Sequence, residues 1–172
     1  MNYFELFEIP IQLQVDVSGL SKRFFELSKK HHPDYFINGT EDEQQEALEI
    51  SSQLNKAYKT FQKKDLTIKY VLQLKGLLEE EEKYQLPPDF LMEVLEINEV
   101  LMDMQLSEDT DADESLITRI NLLQNEIYEP VKEIIENYNE LLHSEKELLQ
   151  VKEYYFKKKY LDRIAQQLNG IV

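Results

Sequence analysis

Two adjacent histidines and a nearby aspartate, His31, His32 and Asp34, are the residues whose types could hold a metal ion. Neighbouring residues on a helix point about 100° apart, and no third ligand lies at helical spacing from this pair. The chain contains no cysteine, which excludes thiolate metal sites, cysteine nucleophiles and a disulfide scaffold. We therefore expect no metal site and no cofactor. The simplest interpretation is a turn in which Pro33 fixes φ and Asp34 caps the local backbone.

Helices are predicted on both sides of this turn. Apolar residues recur at i, i+4 and i+7 over about 19–31, which predicts a helix that ends at the histidines. A capping box formed by Thr40 and Glu43 predicts a second long helix that continues to about residue 63. Asp65 is expected to cap a further helix that ends at Gly76. The turn therefore connects the two long helices of a hairpin.

The first long helix has a basic outer face. At 100° per residue, Lys22 and Lys29 point nearly opposite its apolar stripe, while Arg23 and Lys30 flank the stripe. We expect these four cations to lie on the surface and to lead up to the turn.

The two halves of the chain carry very different charges. The 172 residues have a formal net charge of −15, of which residues 1–76 contribute −1 and residues 77–172 contribute −14. A run of four glutamates and a pair of prolines, which cannot continue a helix, separate the halves. We predict two domains, over 1–76 and 89–172, joined by a linker over 77–88.

The overall acidity excludes several classes of protein. Nucleic-acid-binding proteins carry a basic surface, which this sequence lacks. No apolar run approaches the roughly 18 residues of a membrane span, and the first residues resemble neither a secretory signal nor a transit peptide. We expect a cytoplasmic protein that binds neither nucleic acid nor membranes.

Three helices are predicted in the acidic half, and together they would form a bundle. The first begins near Asp89, and the second contains Pro130, which predicts a kink or a local break. The third begins at another capping box, formed by Ser144 and Glu147. With the hairpin of the first half, the predicted fold is therefore all-α.

The first helix of the acidic half carries a mixed surface. Phe90, Val94, Ile97 and Leu101 are expected to face the core, whereas apolar and acidic residues alternate on another side. Such a mixture is typical of a partner-binding face, with adaptable apolar contacts and a charged rim. An ordinary solvated face with scattered apolar residues is the other interpretation. The residues of the mixed side are Leu91, Met92, Leu95, Glu96, Glu99, Met102 and Asp103.

In several segments the sequence resembles the J domain, and more closely the HscB family, co-chaperones of iron–sulfur cluster biogenesis. The resemblance covers both predicted domains in the right order. It departs from the family at Lys64, Thr67 and Ile68, where a Pro and an Arg-Ala pair are usual. The segments that carry it are His32-Pro33-Asp34, residues 2–7 (NYFELF), 51–58 (SSQLNKAY), 70–76 (YVLQLKG) and 90–96 (FLMEVLE).

The resemblance implies an N-terminal J domain, a helical hairpin with a His-Pro-Asp loop, and a C-terminal three-helix bundle that binds a scaffold. It implies contact between a DnaK/HscA-type chaperone and His32, Pro33, Asp34, Lys22, Arg23, Lys29 and Lys30. It also implies that an IscU-type iron–sulfur scaffold protein binds Leu91, Met92, Leu95, Glu96, Glu99, Asp103 and Tyr160. Asp103 stands where a well-known member of the family has a glutamate, which preserves the charge.

The implied function is to stimulate the ATPase of the chaperone and to deliver the scaffold to it for cluster assembly or transfer. With four glycines and no phosphate-binding loop, the chain is expected to be a regulator and not an enzyme. Two alternatives stay open: a J-domain co-chaperone that delivers a different client through its acidic bundle, and a metal-dependent enzyme that uses His31, His32 and Asp34.

Overall fold

The described part of the chain, residues 1–107 and 114–171 of a computed structural model, is helical and contains no strand. This confirms the predicted all-α class. Two short 3₁₀ segments, Pro33–Phe36 and Glu129–Val131, accompany the α-helices. The α-helices are α1 (Tyr3–Phe7), α2 (Val17–Lys30), α3 (Glu41–Phe61), α4 (Lys64–Leu74), α5 (Pro88–Leu106), α6 (Glu114–Tyr128), α7 (Lys132–Asn137) and α8 (Glu145–Ile171).

The chain divides into two compact units, and the first is discontinuous in sequence. It comprises Met1–Lys75 together with Ile135–Leu142, while the second comprises Gly76–Ile134 and His143–Val172. The residues of the predicted linker therefore fall in the second unit. Within the first unit, Lys75 forms an ion pair with Glu140, which ties the short segment to the end of α4.

A helical hairpin, α2 and α3, forms the frame of the first unit. Leu20 and Leu27 of α2 and Leu54 of α3 are buried in its core, with at most 5% of each residue exposed. The predicted capping box at the start of α3 is confirmed, because the Glu43 N–H donates to Thr40 Oγ1 and the Thr40 N–H donates to Glu43 Oε2. This box fixes where α3 begins, and with it the length of the turn after α2.

Aromatic side chains hold α1 against α3 and α4. Phe4 and Phe7 of α1 are buried and contact Phe61. Their ring centroids lie 4.8 and 5.5 Å, respectively, from the centroid of the Phe61 ring. Tyr3 stacks on Tyr70 at 4.3 Å, and its N–H donates to the Tyr70 hydroxyl at 2.9 Å. Burial raises the pKa of this hydroxyl, so it stays protonated. The apolar segment at the start of the sequence is therefore part of the core.

The start of α4 differs from the prediction. The helix begins at Lys64, and its N-cap residue Lys63 makes no side-chain capping bond. Asp65 lies one residue inside the first turn, where a carboxylate interacts favourably with the positive end of the helix dipole. The predicted cap at Asp65 is therefore wrong, because the turn from α3 is tighter than the sequence pattern indicates.

The tight turn is held by a buried threonine. Thr67 is fully buried, and its hydroxyl lies 3.0 Å from the Thr60 carbonyl oxygen and 3.1 Å from that of Lys63. A buried hydroxyl that bonds back to the last turn of α3 fixes how α4 leaves it. Thr67, one of the three residues at which the sequence departs from the family it resembles, therefore has a structural role here.

Proline breaks the second unit's middle helix as predicted. α6 ends at Tyr128, and Pro130 lies in the 3₁₀ segment that precedes α7. The predicted capping box at Ser144 is also confirmed, since the Glu147 N–H donates to Ser144 Oγ and the Ser144 N–H donates to Glu147 Oε1. It precedes α8, a helix of 27 residues.

The core of the second unit is formed by one stripe from each of its three long helices. The four residues of α5 predicted to face the core, Phe90, Val94, Ile97 and Leu101, are all buried. They pack with buried residues of the other helices, among them Leu116, Ile120 and Leu123 of α6 and Val151, Leu161 and Ile164 of α8. The rotation of α5 is thereby fixed, and its mixed side must face solvent.

Within residues 1–107 and 114–171, every helix is either too short or too polar to span a bilayer.

Replacing Thr67 with valine keeps the shape and removes the buried hydroxyl. We expect Thr67→Val to lower the free energy of unfolding by about 1 kcal/mol, because its hydrogen bond is lost. Thr118, whose exposed hydroxyl donates to the Glu114 carbonyl at 2.8 Å, supplies the control, and Thr118→Val should stay within about 0.5 kcal/mol of the wild type. Urea denaturation followed by circular dichroism measures both, and equal values for the two variants would contradict the prediction.

Candidate protein-binding faces

The turn after α2 exposes the side chains of its histidine and aspartate. The Asp34 N–H donates to His32 Nδ1 at 3.3 Å, so His32 is the N-cap of the 3₁₀ segment and Pro33 occupies its first position. In the neutral ring, the proton then resides on Nε2, which is free to donate. The predicted capping role of Asp34 is wrong: its side chain is 79% exposed, and its carboxylate lies 3.5 Å from His32 Nδ1.

An open groove lies beside this turn. Its volume is about 470 Å³, and it is lined by Phe25, Ser28, Lys29, His32, Asp34 and Tyr35. Phe25 and Tyr35 are 70% and 68% exposed, which is unusual for aromatic residues. The groove thus combines apolar surface, one cation and the polar groups of the turn. Sequence reasoning missed Phe25, although it lies well off the apolar stripe of α2 and could have been found from its position.

The four cations of α2 have different environments. Lys22, Lys29 and Lys30 are exposed, and the described residues offer none of them an ion pair. Arg23 is only 33% exposed: its Nε donates to the Phe7 carbonyl at 3.3 Å, and its guanidinium pairs with Glu8 and Glu26. The structure therefore brings Lys29 to the turn, with Lys22 two turns back on the same side. Arg23 instead connects α2 to α1.

The histidines of this turn do not form part of a metal cluster. Among residues 1–107 and 114–171, no group of three or more His, Asp or Glu side chains is placed to hold an ion. His31 ends α2, where its N–H donates to the Leu27 carbonyl at 3.0 Å. The turn thus offers single donors and acceptors to a partner molecule.

The mixed side of α5 is an exposed apolar strip with carboxylates along it. Met92 and Leu95 are 63% and 59% exposed, Leu91 is 42% exposed, and Met102 is 61% exposed. Exposed methionine and leucine side chains can adapt to the shape of a partner, methionine above all because its side chain is unbranched and flexible. We call this surface, Leu91, Met92, Leu95, Glu96, Glu99, Met102 and Asp103, the α5 face.

The three carboxylates of the α5 face are not equivalent. Glu96 forms an ion pair with Arg119 of α6. Glu99 and Asp103 are exposed, and the described part of the chain gives neither of them an ion pair. A cationic partner would therefore meet two unneutralised carboxylates and one that is already paired. Sequence reasoning missed Arg119, because no local pattern joins it to Glu96.

Tyr160 of α8 lies beside one end of the α5 face. It is half-buried and shares the lining of a groove of about 840 Å³ with Leu91 and Leu86. Tyr84 stacks on Phe156 in the same groove, with centroids 4.6 Å apart and planes 2° from parallel. Lys152 pairs with Glu82 at 2.7 Å, and this hydrogen bond lowers the pKa of the Glu82 carboxyl. Contacts within the second unit therefore hold two residues that line this groove, Tyr84 and Glu82.

Comparisons with known proteins show which proteins this chain is similar to. The family model described as the HSCB C-terminal oligomerisation domain matches residues 86–169. The chain is similar to the chaperone HscB from Vibrio cholerae, with a TM-score of 0.70 and 28% identity over 99% of this chain and 97% of that one. It is also similar to the human co-chaperone protein HscB, with a TM-score of 0.73 and 25% identity over 98% of this chain and 81% of that one.

The pairing of Arg23 leads to a stability prediction. We expect Arg23→Gln to lower the free energy of unfolding by roughly 1 kcal/mol, because the Phe7 carbonyl and two carboxylates lose a charged donor at a partly exposed site. Lys22→Gln is the matched control and should have an effect below about 0.5 kcal/mol. Urea denaturation of both variants at low salt provides the comparison. Equal changes in the free energy of unfolding would show that the contacts of Arg23 stabilise the fold no more than those of Lys22, which would contradict the prediction.

Proposed function

Because the chain belongs to the HscB family of co-chaperones, we propose that it stimulates ATP hydrolysis by a DnaK/HscA-type chaperone and delivers an IscU-type iron–sulfur scaffold to it. The family places the protein in iron–sulfur cluster biogenesis. The choice of partner proteins, the residues that bind them and a location in the cytoplasm are our proposals.

The surface beside the His-Pro-Asp turn supports the chaperone part of the proposal. His32 offers a donor, Asp34 an exposed carboxylate and Lys29 an unpaired cation within one groove. Lys22 and Lys30 extend the positive charge along α2. We propose that these residues and Pro33 dock on an acidic surface of the chaperone, where the charges speed encounter and the turn makes the close contacts. Arg23 contributes to this surface mainly by holding α2, which carries the lysines, against α1.

The α5 face supports the scaffold part. Its exposed leucine and methionine side chains supply apolar area, and Glu99 and Asp103 supply charge that nothing in the described residues neutralises. We propose that the scaffold covers Leu91, Met92 and Leu95 and places cations against these two carboxylates. Glu96 would then share its charge between Arg119 and the scaffold, and Tyr160 would lie at the edge of the contact.

In the proposed mechanism, one chain binds the chaperone and the scaffold at the same time. A scaffold bound to the second unit is present near the chaperone at a high effective concentration, so its capture no longer depends on a separate encounter. The chaperone performs the phosphoryl transfer with its own nucleotide site, and hydrolysis traps its tight-binding state. The co-chaperone contributes binding energy and orientation and supplies no catalytic group.

The single observation that carries the proposal is the exposed α5 face. A folded domain with no partner would have little reason to leave Met92, Leu95 and Met102 each about three-fifths exposed on one helix face. Similarity in overall structure is compatible with several clients, and we propose that the scaffold is the one that covers this face.

His32→Gln tests the chaperone contact. We expect it to reduce the stimulation of single-turnover ATP hydrolysis by about tenfold or more, because the contact loses a donor that the turn holds in place. His31→Gln is the control, since the His31 backbone ends α2 whichever side chain is present. Full stimulation by His32→Gln, or an equal loss in both variants, would contradict the proposed role.

Leu95→Ala tests the scaffold contact. We expect the affinity for a purified IscU-type scaffold to fall about fivefold or more in calorimetric titrations, because apolar area at the centre of the face is lost. Leu48→Ala removes a side chain of similar exposure, 56% against 59%, from α3 and should leave the affinity unchanged. Unchanged binding by Leu95→Ala would favour a different client for the second unit.

A further inference from the structure

The groove that contains Tyr160 has a cationic side that the proposed scaffold contact does not use. Lys159, Tyr160 and Arg163 of α8 line it, opposite the chain that leads into α5. We call it the cationic groove and define it by six of its lining residues: Lys83, Leu86, Leu91, Lys159, Tyr160 and Arg163. All six are in the second unit.

These cations differ from the other charged residues of α8. Lys152, Lys157 and Lys158 each pair with a carboxylate, at 2.7, 3.5 and 2.7 Å respectively. Lys159 and Arg163 are exposed, lie one helical turn apart on the groove side, and have no ion pair within the described residues. Lys83 is likewise exposed and unpaired there. Three cations that lack an ion pair therefore line one groove, in a half of the chain whose net charge is −14. Glu82 also lines this groove, but it is paired with Lys152.

Most of the remaining lining of the groove is apolar. Leu86, Leu91 and Tyr160 line it, and the stacked rings of Tyr84 and Phe156 form part of its wall. Lys152 Nζ also lies over the Tyr84 ring, 5.7 Å from its centroid. A groove with apolar walls and a few charged groups at its rim is suited to binding a short segment of a partner chain.

The groove is continuous with the α5 face, because Leu91 belongs to both. A protein that covers Met92 and Leu95 therefore lies directly beside the cations of α8. Large polyanions suit this position poorly, since the strongly acidic surroundings would repel them. A single carboxylate on a protein that is already bound avoids most of that repulsion and gains bidentate hydrogen bonds from an arginine.

We propose that the cationic groove binds a short segment of the scaffold protein in which an apolar side chain lies next to a carboxylate. The apolar side chain packs between Leu86 and Tyr160, and the carboxylate pairs with Lys159 and Arg163. This inference rests on the proposed function, because the α5 face must bring the scaffold to the groove. The acidic α5 face then prefers basic groups of the scaffold, and the basic groove on α8 prefers acidic ones. These opposite preferences of two adjacent surfaces fix the direction in which the scaffold lies across them.

The test compares two double variants that remove the same charge. Lys159→Gln with Arg163→Gln neutralises the groove, and Lys132→Gln with Lys146→Gln neutralises two exposed cations of the second unit that do not line it. Binding of full-length protein to purified scaffold is measured by calorimetry at two salt concentrations. We expect about a tenfold loss of affinity and a weaker salt dependence for the groove variant, and less than a twofold change for the control.

Equal effects of the two double variants, or no loss in the groove variant, would overturn the inference. Thermal unfolding by circular dichroism identifies any variant that has lost its fold, and the single variant Lys159→Gln, at an exposed position, replaces the double variant if needed. Leu95→Ala is measured alongside to distinguish the two proposals. If Leu95→Ala weakens binding and the groove variant does not, only the proposal for the groove is contradicted. If the wild-type protein does not bind the scaffold at all, both proposals are contradicted.

Discussion

The packing of α2 against α3 is the constraint on which the first unit depends. Burial of Leu20 and Leu27 against Leu54 fixes the rotation of α2 about its own axis. That rotation decides which of its cations can meet a partner: Lys22 and Lys29 point away from the core, while Arg23 at the edge of the stripe reaches α1. The capping box at Thr40 then sets the length of the turn, so that His32 and Asp34 stand exposed at the end of a rigid helix.

In the second unit, the long helix α8 has two roles. One side supplies Val151, Leu161 and Ile164 to the core, and the other carries Phe156, Lys159, Tyr160 and Arg163 into the groove. Because both sides belong to one uninterrupted helix of 27 residues, the core also positions the groove. The neighbouring α5 is fixed in the same way, and its exposed apolar strip follows from burying every third or fourth residue.

Local rules were enough to predict much of this fold. The interactions at the capping boxes of Thr40 and Ser144 and at the break of Pro130 join residues only a few positions apart. Such local interactions can be predicted from the sequence alone. The stripe of α5 was predicted for the same reason. Of the site, the sequence allowed us to propose the exposed turn and the mixed side of α5, and to infer the family by resemblance.

What the sequence could not supply depends on residues that meet only through folding. Sequence position alone places Arg23 with the three lysines of α2, because two of its partners, Phe7 and Glu8, lie at the end of α1. Glu96 pairs with Arg119, which is more than twenty positions away in the sequence. Turn chemistry predicts that Asp34 caps the turn, whereas it is His32 Nδ1 that accepts the bond from the Asp34 N–H. The cationic groove could not be predicted either, because it forms only where α8 and the chain before α5 lie side by side in the fold.

The discontinuity of the first unit has a consequence for the order in which the protein is made. Its last segment, Ile135–Leu142, contains the buried residues Ile135 and Tyr138 and the ion-pair partner of Lys75. The hairpin and its turn are synthesised before this segment, because α2, the turn and α3 all precede it in the chain. The unit is complete only when residue 142 has emerged from the ribosome, by which time α5 and α6 have also been synthesised. The last contacts of the first unit can therefore form only after two long helices of the second unit have been made.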